Sequence, residues 1–496
     1  MRCIAIGQAW QNRLNGSVVF ASTELPASLQ DRLLNEGFTV SMLTCEQASS
    51  LDAQALVKLA LLNKAQAVVV DGYQFDESYL GMVSGHGFVT MLIDDLAELQ
   101  DYSVDFVVNP HPSAHAGIYP KSRTDSKLLL GSRFMLLREE FLNDRSDSGA
   151  TIAKPSWPGD VSRILVTLGG SDPVKLTDRV VDALKSLATR NFHACIVVGA
   201  ANEGLERLVA SVNDDRRFSV VHDVHDMAAF FQEADFAISG AGVSTWEMCY
   251  FGLPALIVEV ADNQQANANY LEQSGVAINL GHARQVGSDT IAGAAQNWLD
   301  QPEQLAQYRR RASGLVDGLG ARRCVNNMAL YKADWTPDAR RRAANADRVL
   351  FREADTEDAA MLLEWRNDAL TREASRRTGV VSAQTHGAWL LDTIDHADCR
   401  LLIAELNNQP IGTVRIDIDD PCELSWTIAP RARQRGNGRK MIEEIVQMLA
   451  LPMTAMVRKT NLPSRKIAEA CGFKLLKEDC EWLTFGRLPV ASSRES

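Results

Sequence analysis

The chain has 496 residues, 46% hydrophobic and 23% charged, and a formal net charge of −12. That length exceeds what one hydrophobic core serves and predicts roughly two to four domains, and the composition excludes a largely disordered chain. The negative balance offers no global attraction to nucleic acid or an anionic membrane.

Apolar runs such as residues 65–70 fall far short of the roughly 20 residues that span a bilayer. The first residues lack the sustained apolar stretch and cleavage site of a secretory signal, so a soluble, cytoplasmic protein is expected. Nine cysteines are scattered without a Cys-x-x-Cys pair, which reads as reduced, packed thiols rather than a disulfide framework or a zinc site.

In chain order, residues 1–150 alternate helical spacing (51–62) with β-rich runs at 17–21, 67–70, 88–93 and 106–108, the pattern of half an open α/β sheet. Asp71, Tyr73, Asp94 and Asp95 follow two of these runs, where open sheets hold ligands in a crevice at their strand ends. Residues 145–160 are small, polar and proline-containing, which suits a domain connection. A second α/β unit, 151–345, has strand candidates at 163–168, 194–198, 236–238 and 255–258, and charged stretches at 308–311 and 338–348 lead out of it. Residues 346–496 change rhythm: three successive strands (399–405, 411–416, 423–428), a helix from Gly438, a strand at 453–457, another helix and a strand at 482–485. Consecutive strands imply an antiparallel portion covered by the later helices.

Two glycine-rich strand-to-helix turns mark the middle region. In Leu168-Gly169-Gly170-Ser171-Asp172-Pro173 the glycines admit a ligand to the backbone, while Ser171 or Asp172 serves a ligand or simply caps the helix. In Ser239-Gly-Ala-Gly-Val-Ser-Thr-Trp-Glu, Gly240 and Gly242 leave space for a diphosphate near Ser244 and Thr245, and Glu247 could accept both ribose hydroxyls.

The strongest chemical signal lies in the last region, at Ser425-Trp-Thr-Ile-Ala-Pro-Arg-Ala-Arg-Gln-Arg-Gly-Asn-Gly-Arg. Gly436 and Gly438 clear room for a ligand, and the first amides of the following helix are unpaired donors that favour an anion. Arg431, Arg433, Arg435 and Arg439 add positive charge, though they cannot all reach one phosphate and at least one faces solvent.

Arg433-Gln434-Arg435-Gly436-Asn437-Gly438 resembles the Arg/Gln-x-x-Gly-x-Gly/Ala signature of the Gcn5-related N-acetyltransferases, and Asn461-Leu-Pro-Ser464 with Cys471-Gly-Phe473 resembles their second cofactor-side motif. The resemblance covers the last 145 or so residues. It implies acetyl-coenzyme A threaded between two splayed strands, bound through Arg433, Gln434, Arg435, Gly436, Asn437, Gly438, Arg439 and Asn461, with amides near Trp426, Thr427 and Ile428 polarising the thioester. Glu423 stands on the strand leading into the loop, either as the base or as an exposed strand carboxylate. Many relatives place a tyrosine acid five residues before the Phe of the Gly-Phe turn; Ala468 stands there, leaving solvent or Ser464. Trp365-Arg366-Asn367 and His386-Gly-Ala-Trp389 look like substrate-side segments of acetyltransferases acting on 4-amino sugar nucleotides, or else like aromatic core packing with a capped helix.

Residues 1 to about 285 resemble the glycosyltransferase-B architecture, and more closely the hydrolases that remove UDP from a diacetamido-trideoxy sugar in pseudaminic acid biosynthesis. The strings that carry this are 70–73, 93–96, Asn109-Pro110, 169–172, 239–247 and Ala261-Asp-Asn263-Gln264 with Asn267. The resemblance implies that Tyr73 and Asn267 position the sugar or the attacking water, while Asp71, Asp94, Asp95, Gly169, Gly170, Ser171, Gly242, Ser244, Thr245, Glu247, Asn263 and Gln264 bind the substrate.

That family pattern begins with a strand and a glycine-rich histidine loop ahead of Met-Arg-Cys. This chain starts at Met1-Arg2-Cys3, so the hydrolytic histidine is missing and two sheet edges are expected to lack a partner. His111/His115 and His222/His225 lack the spacing or third ligand of a metal site. The expectation is two Rossmann-like α/β domains, the first without its opening strand, and an α+β acetyltransferase domain. UDP-linked amino sugar and acetyl-coenzyme A are the expected partners, with no metal, nucleic acid or membrane; the acceptor chemistry leaves a glycosyltransferase or a sugar-nucleotide binding half open.

Overall fold

The structure, a computed structural model, describes residues 1–120, 126–142, 161–169, 172, 174–187, 191–199, 202, 204–222, 224, 227–331, 348–396, 398–449 and 451–488. Its contacts cluster into two compact units: 1–109 with 116–129 and 321–496, and 110–115 with 130–320. The chain leaves the first unit and returns to it. No described helix is long and apolar enough to cross a membrane.

The amino-terminal part runs α1 (Arg2–Leu14), β1 (Val19–Ser22), α2 (Ala27–Asn35), β2 (Thr39–Met42), α3 (Ser50–Leu62), β3 (Ala67–Asp71), α4 (Glu77–Val83), β4 (Val89–Ile93), β5 (Phe106–Asn109) and β6 (Lys127–Leu130). Ser49 and Asp76 start α3 and α4 by accepting amide hydrogen bonds from Asp52 and Tyr79, the usual satisfaction of a first-turn donor. The strands form two sheets. β1 pairs only with β2, and β3-β4-β5-β6 form the other. Among the described residues no strand lies on the second edge of either β1 or β3. α1 instead touches both: Ile4 packs with Leu33 and Phe38 beside Val18, Phe20 and Val40, and Arg2 and Cys3 reach Asp71 on β3.

The second unit opens with α5 (Glu139–Leu142) and continues through β7 (Ser162–Thr167), α6 (Leu176–Lys185), β8 (Phe192–Val198), α7 (Leu205–Val212), β9 (Phe218–His222), α8 (Ala228–Glu233) and β10 (Phe236–Gly240). It then runs α9 (Ser244–Tyr250), β11 (Ala255–Glu259), α10 (Gln265–Gln273), β12 (Ala277–His282), α11 (Ser288–Asp300) and α12 (Pro302–Ala312). Six parallel strands take the order β12-β11-β10-β7-β8-β9. Alternating side chains feed two cores, Ile164 and Val166 on one face and Leu165 on the other, because a parallel sheet must be covered on both sides. The strand order reverses between β7 and β10, which pair Thr167 with Ser239.

α13 (Gly320–Tyr331) leads back to the first unit. Then follow β13 (Leu350–Glu353), α14 (Ala359–Asn367), α15 (Ala369–Ala374), α16 (Ala383–Asp395), β14 (Cys399–Leu406), β15 (Gln409–Asp417), β16 (Cys422–Ile428) and α17 (Asn437–Met448). β17 (Met453–Arg458), α18 (Leu462–Ala470), β18 (Lys474–Glu478) and β19 (Trp482–Arg487) complete it. The sheet order is β13-β14-β15-β16-β17-β19-β18, antiparallel except for β16 beside β17. Met441, Ile442, Ile445 and Val446 give α17 a buried apolar stripe, the 3.6-residue pattern of a helix laid on a sheet.

The turn after β15 is keyed to the amino-terminal part. Asp420 pairs with Arg13 of α1 and, at 3.2 Å, with Arg322 of α13. Asp419 receives Arg323 at 2.7 Å, and its carbonyl accepts from Asn326 at 2.7 Å.

Candidate functional site

β16 and β17 pair only at Cys422–Met453 and Glu423–Thr454 among the described residues, then diverge. Ala429 donates its amide hydrogen to Ile411 on β15 at 2.9 Å, and the two-residue period of a strand gives Thr427 the same direction. The N–H groups of Trp426 and Ile428 therefore face the gap between the splayed strands, while that of Thr427 faces β15.

Beyond β16 the chain makes a short 3₁₀ turn at Pro430–Ala432 and enters α17 through Gln434 and Gly436, both at positive φ (62° and 75°). A Cβ on Gly436 would meet nothing within 4 Å, so this glycine serves the left-handed turn. Gly438 differs: a Cβ there would stand 2.7 Å from Ile467 and 3.1 Å from Ile428. Its missing side chain lets the helix close on the sheet rather than admitting a ligand.

The signature residues divide by role. Arg431, Gln434, Arg435 and Arg439 are exposed, and Arg439 pairs with Glu443 at 2.6 Å on its own helix. Asn437 is buried, and its amide donates to the Ala432 carbonyl at 3.0 Å, bracing the turn from within. Arg433 is turned away from the loop mouth, onto Asp368 at 2.7 Å, Thr371 at 2.7 Å and the Ile428 carbonyl at 3.2 Å. Asn461 caps α18 by accepting from the Ser464 amide at 3.1 Å. The side chains of Arg433, Asn437 and Asn461, all in the expected cofactor-binding set, are each engaged with the protein.

Glu423 projects from β16 on the same face as Ser425 and Thr427 and lies 3.4 Å from Arg376. The cross-strand register adds Thr413, Arg415 and Asp417 of β15 and Thr454 of β17 to that face, a polar comb. Arg415 clasps Asp417 at 2.6 Å.

Of the substrate-side segments, Trp365 lies in the core, and Asn367 is held by two hydrogen bonds to the backbone of Val381, at 2.8 and 2.9 Å. Arg366 donates to the Arg377 carbonyl at 2.6 Å. His386 is buried with its ring 5.1 Å from that of the half-exposed Trp389; burial, and then the charge of Arg366, lowers its pKa.

In the second unit both glycine turns emerge from adjacent strands at the order reversal, the expected ligand position. Gly169 is exposed at φ 96°, with open space where a Cβ would stand. Gly170 and Ser171 lie outside the described residues. Asp172 accepts from the Leu176 and Thr177 amides, each at 2.8 Å, and so is a cap. At the second turn Ser244 and Asn263 are exposed, whereas Thr245 is buried and donates to the Gly242 carbonyl at 2.6 Å. Gln264 accepts from the Val260 amide at 2.9 Å, and its amide nitrogen would lie 3.5 Å from a Cβ on Gly242. Asn267 is buried and donates to the Ala241 carbonyl at 2.7 Å and to Thr245 at 3.2 Å. It shapes the turn, and only its oxygen lacks a partner. Glu247 lies 3.4 Å from the buried Arg138, a partner that the sequence did not reveal.

The carboxylates of the amino-terminal part are also engaged. Arg2 bridges Asp71, at 2.5 Å, and Asp95, and the exposed Tyr73 donates to Asp95 at 2.8 Å. Asp94 accepts from Tyr102 at 2.9 Å and from the amides of Leu96 and Ala97, which makes it a turn brace. Burial, with Asp71 beside it, pushes the Cys3 thiol up to about 12.

Residues 163–317 match the glycosyltransferase family 28 C-terminal domain and residues 348–474 the acetyltransferase (GNAT) domain. Spore coat polysaccharide biosynthesis protein SpsG of Bacillus subtilis is 26% identical over 211 residues, 41% of this chain and 60% of that protein; the chain thus spans less than two thirds of this relative. An uncharacterized protein of Methanocaldococcus jannaschii is 20% identical over 434 residues, 79% of this chain and 83% of that protein. Among solved structures, MurG of Acinetobacter baumannii aligns with a TM-score of 0.46 at 16% identity over 66% of this chain and 94% of that one. The chain therefore carries a glycosyltransferase family 28 C-terminal domain followed by a GNAT acetyltransferase domain.

Proposed function

We propose that the protein is a bifunctional, cytoplasmic enzyme of amino-sugar nucleotides: the GNAT domain acetylates the 4-amine of a UDP-linked 4-amino-6-deoxy sugar, and the glycosyltransferase-like half releases UDP from the diacetamido product. The observation that carries the first activity is the gap between β16 and β17, with the Trp426 and Ile428 amides facing it beside a basic helix entrance. The donor set fits acetyl-coenzyme A, since the first amides of α17 and the exposed Arg431 and Arg435 suit a pyrophosphate. Acetyl-coenzyme A, when bound, supplies an acyl group activated as a thioester.

The Trp426 and Ile428 amides would donate to the charge developing on the acyl oxygen. Glu423, directly or through water, would take the proton from the attacking amine. Ala468 carries no hydroxyl, so solvent or Ser464 would return a proton to the leaving thiolate. In the other half, Gly169, Gly242, Ser244, Asn263 and Gln264 would hold UDP.

A second reading has the nucleotide half bind its ligand without cleaving it. Arg2 between Asp71 and Asp95 favours this reading, because both carboxylates are engaged within the protein.

Incubating the full chain with UDP-4-amino-4,6-dideoxy-N-acetyl-altrosamine and acetyl-coenzyme A tests both. The expected product is the diacetylated nucleotide, followed by UDP. No acetylation by folded protein that binds coenzyme A refutes the first activity; acetylation without UDP release leaves only the second reading for the nucleotide half.

A further inference from the structure

Arg433 ties the cofactor loop to the acceptor-side helix α15. Arg433 leaves the loop between β16 and α17, and each of its three guanidinium nitrogens has a partner: Nε donates to the Ile428 carbonyl at 3.2 Å, Nη1 to Asp368 Oδ2 at 2.7 Å, and Nη2 to Thr371 Oγ1 at 2.7 Å. Asp368 is the N-cap of α15 and its Oδ2 also accepts from the Thr371 amide at 3.1 Å. The pair is mostly shielded, 23% and 24% exposed. Burial would raise the carboxyl of Asp368, but hydrogen bonds from Arg433 and the Thr371 amide outweigh it and hold the group below its ordinary value.

From α15 the linkage continues to the chemistry. Arg458 of β17 donates to the Glu373 carbonyl at 2.7 Å, and the segment after α15 carries Arg376, which reaches Glu423 at 3.4 Å. α15 has six residues, too few to hold its shape alone. An arginine that turned toward a phosphate would have to release all three partners.

We propose that Arg433 is a positioning residue that couples the cofactor loop to the acceptor-side helix, so that filling the loop orders α15 and with it Arg376 over Glu423. This rests on the acetyl-coenzyme A reading given above. Such coupling is a free energy shared between two sites, carried by groups that neither ligand has to touch.

Hydrogen–deuterium exchange of the full chain, with and without free coenzyme A, tests it. Coenzyme A slows amide exchange in residues 369–378 of the unmodified protein by about tenfold, the size of a typical coupling of ~1.4 kcal/mol. In Asp368→Ala that slowing disappears while the coenzyme A dissociation constant stays within about threefold. Asp368→Asn keeps an acceptor for the Thr371 amide but loses the charge, and falls between the two, which separates the coupling from a failure to fold. Equal protection in Asp368→Ala, or bound coenzyme A with no protection in the unmodified protein, overturns the proposal. If the unmodified protein binds no coenzyme A, the acetyl-coenzyme A reading falls as well.

Discussion

Replacing Asp420 by alanine should be among the most destabilising single changes in the first unit. Its side chain is 7% exposed and sits between Arg13, 8% exposed, and Arg322, 29% exposed. Removing one partner of a buried pair costs about 3–5 kcal/mol, because the surviving charge stays out of water without its counter-charge. Arg322 can turn to solvent, so the cost falls on Arg13. For a cooperative unit of about 300 residues, this lowers the melting temperature by roughly 5–8 °C. Arg13→Ala is milder, about 1–3 kcal/mol, since Asp420 keeps Arg322. The double change Arg13→Met with Asp420→Leu should recover at least half of the Asp420→Ala loss, because apolar groups of similar size carry no desolvation cost. Scanning calorimetry of the three variants reads this directly. A shift under about 2 °C for Asp420→Ala, or a larger loss for Arg13→Ala than for Asp420→Ala, refutes the reasoning.

His386 has a lowered pKa, from burial and then from Arg366; the folded state therefore binds its proton less readily than the unfolded chain. Its contribution to stability is complete above the unfolded value near ~6.5 and is lost as pH falls below it, so urea midpoints should drop between pH 7 and 5, and less in His386→Phe; parallel profiles would count against this. Asn267→Ala removes the donor that ties Ala241 to Thr245 and should weaken UDP binding about tenfold by calorimetry, an unchanged affinity being the contrary result.

What was legible in the sequence follows the physics of burial. Several strands with apolar runs were found to within a few residues: 67–70 against Ala67–Asp71, and 399–405 against Cys399–Leu406. Six were missed, β2, β6, β9, β12, β13 and β18, among them β6 with its three consecutive leucines. β18 is exposed along its whole length, and β2 at both ends, so neither leaves a hydrophobic period to read. The glycine turns and the basic loop were legible because local chemistry demands them. The partners of their charges were not: Arg2 meets Asp71 and Asp95 across 69 and 93 positions, and Arg433 meets Asp368 across 65. Pairings of that separation leave no local signal, so a motif names a position and only the fold says where its side chain is spent.

The first helix acquires an unusual duty from the split sheet. One end is anchored to β3 through Arg2, its middle rests on the β1–β2 pair, and its far end is pinned to the turn that follows β15. It serves as a crossbeam: two short ladders that share no rung are levelled against it, and a tilt of that beam would be felt at once by Asp71 and Asp95 and by the acetyltransferase sheet.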